Sequence, residues 1–374
     1  GSRVAGRLKA CFPQPCRAVS TAVPSHSAVI SGTFASLKMV SSQDWMEVEK
    51  ALELQEIELL KKEGISLPEG HMSGYKYAPM TVVKNKESWE VFATPNKPPT
   101  CGAGNWKHTD VNFETGEGIA YITLNRPEAN NCLTESVSQA LYDAAYELNQ
   151  RPDIRIAVLR AEGKLFCAGG DPKSFADAAA MSDRESRKAT VGFMRFLHFF
   201  QKLPCYTVAL VQGSAMGSGL GLLAVADVVY AVRTARFTAS EVKLGTAPVT
   251  IAPFLTKKLG PSNAKRVLCM GENLSADVAK AMGLVTEVFE DELDFSKAVE
   301  GVCDKITLCA PNAASRAKGL VHNVSLRPLS LKLFEYVGGE LADIRIQEEA
   351  IKGMVAVQAK TKPYWAENPI KPLY

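Results

Sequence analysis

Tyr206-Thr-Val-Ala-Leu-Val211, Gly213-Ser-Ala-Met-Gly217-Ser-Gly219-Leu-Gly221, Val228-Val-Tyr-Ala-Val232 and Phe237-Thr-Ala-Ser-Glu-Val-Lys-Leu-Gly245 follow one another along this chain. The first and third are apolar runs of strand length, rich in β-branched residues. Between them a glycine turn leads into an apolar stretch that reads as a helix over about 218–226. Strand, turn, helix and strand in succession predict an α/β fold rather than a sandwich or a bundle.

The same alternation extends outward. Ile119-Ala-Tyr-Ile-Thr-Leu124 reads as a strand ended by Asn125-Arg-Pro127. Thr134 is placed to cap a helix with Val137, Leu141, Ala144 and Leu148 along one face. Ile156-Ala-Val-Leu159 is a short strand closed by the Glu162-Gly163 turn, and a helical stretch covers roughly 184–202. Phe193, Phe196, Phe199 and Phe200 recur on it at helical spacing, which suits a core better than a ligand cage. Beyond about 250 the chain reads as helical. No internal repeat is visible.

Toward the N-terminus the composition changes. Residues 1–43 hold Arg3, Arg7, Lys9, Arg17 and Lys38 and no acidic residue, and they are rich in Ser and Ala. That composition is expected of an organelle transit segment bound for a chloroplast stroma or mitochondrial matrix, or of an ordinary tail. Ser42 can cap a helix that starts near Asp44, and residues 65–107 read as irregular wrapping up to a boundary at Gly102-Ala-Gly104. The expected organisation is a 1–43 leader, a 44–105 extension, a core over 106–275 and a helical region over 276–374.

The bulk numbers exclude several classes. A net charge of +3 over 374 residues gives no case for nucleic acid or a membrane surface. No run of 18 apolar residues offers a spanning helix. Nine cysteines without a CxxC pair suit buried, reduced thiols, and five scattered histidines suggest no metal site.

The chemistry concentrates at two glycine turns and one carboxylate. Gly169-Gly170 precedes Asp171, and Gly217-Ser218-Gly219 opens the apolar helix. Glycine leaves backbone N–H groups open to a ligand, and a helix start favours developing negative charge. Two such N–H groups on one oxygen make an oxyanion hole, although each turn by itself also reads as a plain tight turn. Glu241 follows the second turn and is a candidate for moving a proton beside a carbonyl. The competing reading is a surface ion pair with Lys243 or Arg236. Asp171 suits a turn-stabilising acceptor, and Asp177 is a weaker candidate for reaching the same site. The glycine pattern lacks the third glycine of a dinucleotide fingerprint, a Walker lysine and a nucleophile elbow.

Asn125-Arg-Pro-Glu-Ala-Asn-Asn131, Phe166-Cys-Ala-Gly-Gly-Asp171, Gly213–Gly219 and Ala235-Arg-Phe-Thr-Ala-Ser-Glu241 together resemble the crotonase (enoyl-CoA hydratase/isomerase) superfamily. Leu274–Val285 and Gln347–Pro363 are similar to its downstream segments, so the resemblance spans about 110–366. It implies a spiral of ββα turns with a C-terminal helical trimerisation region, as a homotrimer or hexamer. It implies an acyl thioester substrate, with coenzyme A or an acyl-carrier protein as carrier and no separate cofactor. By the same resemblance, Gly170 and Ser218 supply the oxyanion N–H groups, with Gly217 beside them. Ala129 and Ala168 lie along the coenzyme A arm, and Lys360 approaches its phosphates or is simply a solvated helix lysine.

One position departs from the pattern. Two-glutamate hydratases carry a carboxylate where this chain has Gly221. The surrounding residues are most similar to bacterial-type methylglutaconyl-CoA hydratases and to dehydratases acting on hydroxymethylglutaryl thioesters. The implied reaction is hydration or dehydration of an enoyl thioester; the alternatives are a single-glutamate double-bond isomerase and a non-catalytic binding module. A side chain at 221, about one helical turn past Ser218, is expected to face the acyl pocket.

Overall fold

The computed structural model describes residues 109–171, 181–325 and 327–373, position 173, and three short strands before them. The leader over 1–43, the helix expected from Asp44 and Asp177 lie outside the described residues. Strands β1 (Met80–Lys84) and β2 (Trp89–Ala93) pair antiparallel as a hairpin, inside a stretch read above as irregular. Its Lys- and Glu-interrupted sequence hides the period-two pattern.

The main sheet has seven strands. Three are β3 (Trp106–Lys107), β4 (Val111–Thr115) and β5 (Ile119–Leu124), joined antiparallel. Then β6 (Ile156–Ala161), β8 (Tyr206–Val211), β10 (Val228–Val232) and β13 (Glu287–Phe289) continue in parallel register from β5. All six residues of β5 are buried, as a strand covered on both faces requires.

A second sheet runs in the order β12 (Leu274–Ser275), β11 (Arg236–Thr238), β9 (Ser214–Met216) and β7 (Leu165–Cys167). Its members are two or three residues long. Each of β6, β8 and β10 leads after a tight turn into β7, β9 and β11 respectively, and a helical segment follows. This is the ββα spiral that the motifs imply.

The helices are α1 (Glu135–Gln150), α2 (Asp183–Gln201), α3 (Ser218–Val225) and α4 (Ala252–Met270), the last broken at Gly260-Pro261. Thr134 caps α1 by accepting from Val137 N–H at 3.1 Å. Val137, Leu141, Ala144 and Leu148 are buried along one face of α1, matching the predicted stripe. Helix α3 is buried all round from Gly219 to Val225, so it has no solvent face to signal its period. Downstream come α5 (Ala276–Ala281), α6 (Phe295–Leu308), α7 (Pro311–Val324), α8 (Leu331–Arg345) and α9 (Glu348–Ala359). The region after 250 is therefore helical apart from the short strands β12 and β13.

Candidate active site

The two glycine turns touch. Gly169 has φ of +94° and Gly217 has φ of +51°, conformations that suit glycine. A Cβ at Gly169 would stand 2.9 Å from the Met216 carbonyl oxygen and 3.4 Å from Gly217 Cα. Neither turn admits a side chain where they meet.

Gly170 lies in a parallel bridge with Leu133. Leu133 N–H donates to Gly169 O at 2.7 Å, and Asp171 N–H donates to Leu133 O at 3.4 Å. In that pattern the N–H of Gly170 itself points away from Leu133. Ser218 is the first residue of α3, where an N–H has no partner within the helix. Among the described residues neither N–H has a protein acceptor. Cys167 spaces the turns: its Sγ accepts from Gly169 N–H at 3.4 Å. A Cβ on Gly219 would meet Cys167 Cβ at 2.9 Å. Burial pushes the Cys167 thiol up to about 12, so it packs as a neutral group.

Glu241 reaches this junction from the 3-10 helix Ser240–Leu244, which follows β11. Gly217 N–H donates to Thr238 O at 2.9 Å and ties β11 to the second turn. A Cβ at Gly217 would be 3.0 Å from Glu241 Oε1, so glycine there admits the carboxylate. Oε2 is buried and has no hydrogen-bond partner among the described residues. Burial raises the Glu241 carboxyl above its usual range, against a smaller opposing pull from its own backbone N–H. The salt-bridge reading is not met among the described residues: burial and its own backbone N–H, not Lys243 or Arg236, act on the Glu241 carboxyl, and Arg236 Nη1 donates to the carbonyls of Arg233 and Ala235.

Asp171 does what its turn position suggests. Its Oδ1 accepts from Lys173 N–H at 2.9 Å and Oδ2 from Arg126 Nη1 at 3.4 Å. These bonds hold its carboxyl below the usual range, the Lys173 N–H first. Ala129 and Ala168 are half-buried on adjoining loops, joined by Ala168 N–H donating to Asn130 O at 3.0 Å. Lys360 is exposed at the end of α9 with φ of +54°.

Two features escaped the sequence reading. Asn131 is buried with φ of +52°. Its Nδ2 donates to Glu162 O at 2.8 Å and Leu165 O at 2.9 Å, while Oδ1 accepts from Arg126 N–H at 2.9 Å. It staples the Ala129 turn to the loop between β6 and β7. The adjacent pair Asn130-Asn131 was the available signal, since asparagine tolerates left-handed backbone.

The second feature corrects the expectation for Gly221. A Cβ there would lie 2.7 Å from Ile251 Cγ2 and 3.1 Å from Leu197 Cδ1. Both neighbours are fully buried core residues. The direction from 221 is filled by apolar side chains, and Glu241 is the carboxylate that meets the glycine turns.

The Enoyl-CoA hydratase/isomerase family profile matches residues 114–368. The chain belongs to this family. It is 30% identical over 256 residues to the echA8 enoyl-CoA hydratase of Mycobacterium bovis, covering 68% of this chain and 97% of that one. It is 27% identical over 259 residues to the mevalonyl-coenzyme A hydratase sidH of Aspergillus fumigatus, covering 68% and 93%. A solved enoyl-CoA hydratase/isomerase from Marinobacter aquaeolei superposes with a TM-score of 0.66 at 30% identity, covering 70% of this chain and 100% of that one. The family membership and the spiral thus agree with the motif reading.

Proposed function

We propose that this family member reversibly adds water across the α,β double bond of an enoyl-coenzyme A thioester, with Glu241 as its proton carrier. One observation carries the reading: a desolvated carboxylate, its Oε2 without a hydrogen-bond partner, enters beside two touching turns whose Gly170 and Ser218 N–H groups have no acceptor among the described residues. In the dehydration direction the Glu241 carboxylate takes the α-proton of a 3-hydroxyacyl thioester. The electron pair moves onto the thioester oxygen, which the Gly170 and Ser218 N–H groups stabilise. The C–O bond at the β-carbon then breaks as the double bond forms. Glu241 returns its proton to the departing oxygen, and water leaves. Hydration is the reverse.

A single carboxylate is best suited to a β-branched acyl group, because an alkyl branch stabilises charge developing at the β-carbon. The similarity to a mevalonyl-coenzyme A hydratase supports that substrate class. Double-bond isomerisation is the second reading, favoured by the apolar filling at Gly221. We also propose a homotrimer or hexamer, from the apolar faces that α7–α9 leave exposed.

Glu241→Gln tests the core of the proposal. Glutamine keeps the shape and loses the proton-carrying group, so turnover of a 3-hydroxyacyl-CoA is expected to fall by about 10²–10⁴. Because burial disfavours the ionised carboxyl, the neutral variant is expected to melt no lower than the parent at pH 7. For the same reason the acid limb of kcat/KM is expected above the usual carboxylate range: protonation there removes the base. Activity within about threefold of the parent would remove Glu241 from the mechanism.

A further inference from the structure

Helix α3 carries the Ser218 N–H at one end, and at its other end one side chain meets two of its carbonyls. Lys258 of α4 donates from Nζ to Leu223 O at 2.8 Å and to Ala226 O at 2.8 Å. The last carbonyls of a helix have no partner inside it and carry partial negative charge, so a cation there satisfies and stabilises them. Helix α3 needs that anchor. It is only eight residues long, contains Gly219 and Gly221, and has no side-chain cap at Gly217. An eight-residue helix with two glycines does not hold itself. Ile251, just ahead of α4, wedges against Gly221 midway along α3. Residues 241–258 thus run without interruption from Glu241, through the wedge, to the clamp.

We propose that Lys258 is a positioning residue, which clamps α3 from its carbonyl end and so fixes the Ser218 N–H against Glu241. The inference rests on the oxyanion role given to Ser218 above.

The surroundings make the clamp titratable. Helix α3 contributes no ionisable side chain. Asp227, just past α3, pulls Lys258 toward its charged form, while burial pulls the other way and lowers it to about 8. Lys318 of α7 and Thr207 occupy Asp227 Oδ2. Lys257 lies beside Lys258 on α4, and Lys202 at the end of α2 acts on Lys257. The 3-10 helix that packs on α4 adds Glu241 and Lys243. The cation is therefore present below pH about 8 and lost above it.

The test is the pH profile of kcat for the parent, Lys258→Met and Lys258→Arg, with Glu241→Gln assayed alongside. The parent is expected to lose kcat as pH rises through about 8, with KM nearly constant. Lys258→Met is expected to lose on the order of tenfold to a hundredfold in kcat, the scale of a small misplacement of a catalytic group, and to lack the alkaline limb. Lys258→Arg, charged throughout, is expected to recover rate and also to lack that limb. A parent profile flat through pH 9 would overturn the inference even if the methionine variant fails to fold. So would a folded Lys258→Met with parental kcat, or one that keeps the alkaline limb. If instead Glu241→Gln is fully active, the proton-transfer reading itself has failed. A folded Lys258→Met with parental kcat beside a dead Glu241→Gln removes the clamp alone.

Discussion

In the spiral, β5 buries all six of its residues, whereas α7 in the C-terminal region buries none and α8 buries only Leu333. Phe334, Leu341, Ile351, Met354 and Val355 stand exposed on α8 and α9. The buried anchor of α9 is polar: Glu349 accepts from Asn312 and Ala313 N–H at 3.0 Å each, satisfying the first turn of α7. The spiral completes its own core, and the C-terminal helices leave apolar surface over. The candidate chemistry sits where packing is closed, which is how N–H groups and a carboxylate can be held to a fixed geometry without water. A cavity of about 730 Å³ among α7, α8 and α9 contains none of the predicted site residues.

The sharpest way to break this comparison is to add a side chain inside the closed region. Gly221→Glu drives a Cβ into Ile251 and Leu197 and buries a carboxylate among them. Overpacking costs about 1–3 kcal/mol and an unpaired buried charge adds several more. The variant is expected to be largely unfolded or insoluble, as read by circular dichroism and gel filtration. Adding Ile251→Ala is expected to restore part of the folded yield by making room. A soluble, parental-stability single variant would mean that α3 does not pack on Ile251 as described.

A smaller effect is expected where the closed region is pinned by polar bonds. Asn131→Ala removes three hydrogen bonds and strands the Glu162 carbonyl and the Arg126 N–H, while Leu165 O keeps the Gln212 Nε2 donor at 3.3 Å. At roughly 1 kcal/mol per bond, a loss of about 3 kcal/mol in urea unfolding is expected. The Ala129–Ala168 loops would loosen with it, so KM is expected to rise more than kcat falls. A loss below about 0.5 kcal/mol would deny the staple its role.

Legibility followed the same division. The strands Tyr206–Val211 and Val228–Val232 are read from sequence with the bounds they have in the structure, because long apolar runs carry their own signal. The second sheet was invisible, since strands of two or three residues are too short for any period to register. At the candidate site, Glu241 and the two turns it meets are legible because glycine and a lone carboxylate are chemically marked. Ile251, Leu197 and Lys258 were not: nothing local says which apolar side chain fills the space beside a glycine, or which lysine turns inward to a helix end. The Gly221 expectation failed for that reason. A helical offset gives the direction of a side chain but not what already occupies it.

The mildest change for the isolated chain tests the other half of the comparison. Val355 is 57% exposed on α9, one turn from Ile351, which is 54% exposed. A surface change such as Val355→Asp moves monomer stability by only about 0.5 kcal/mol. If these side chains are instead covered by a second copy, the same aspartate becomes an unpaired charge in an apolar contact, at a cost of several kcal/mol. The variant is therefore expected to keep its melting cooperativity while sedimenting as a smaller species than the parent at equal concentration. Sedimentation velocity separates the cases. An unchanged sedimentation coefficient would show that this face of α9 is not between copies, and the exposed apolar surface would then need another cover.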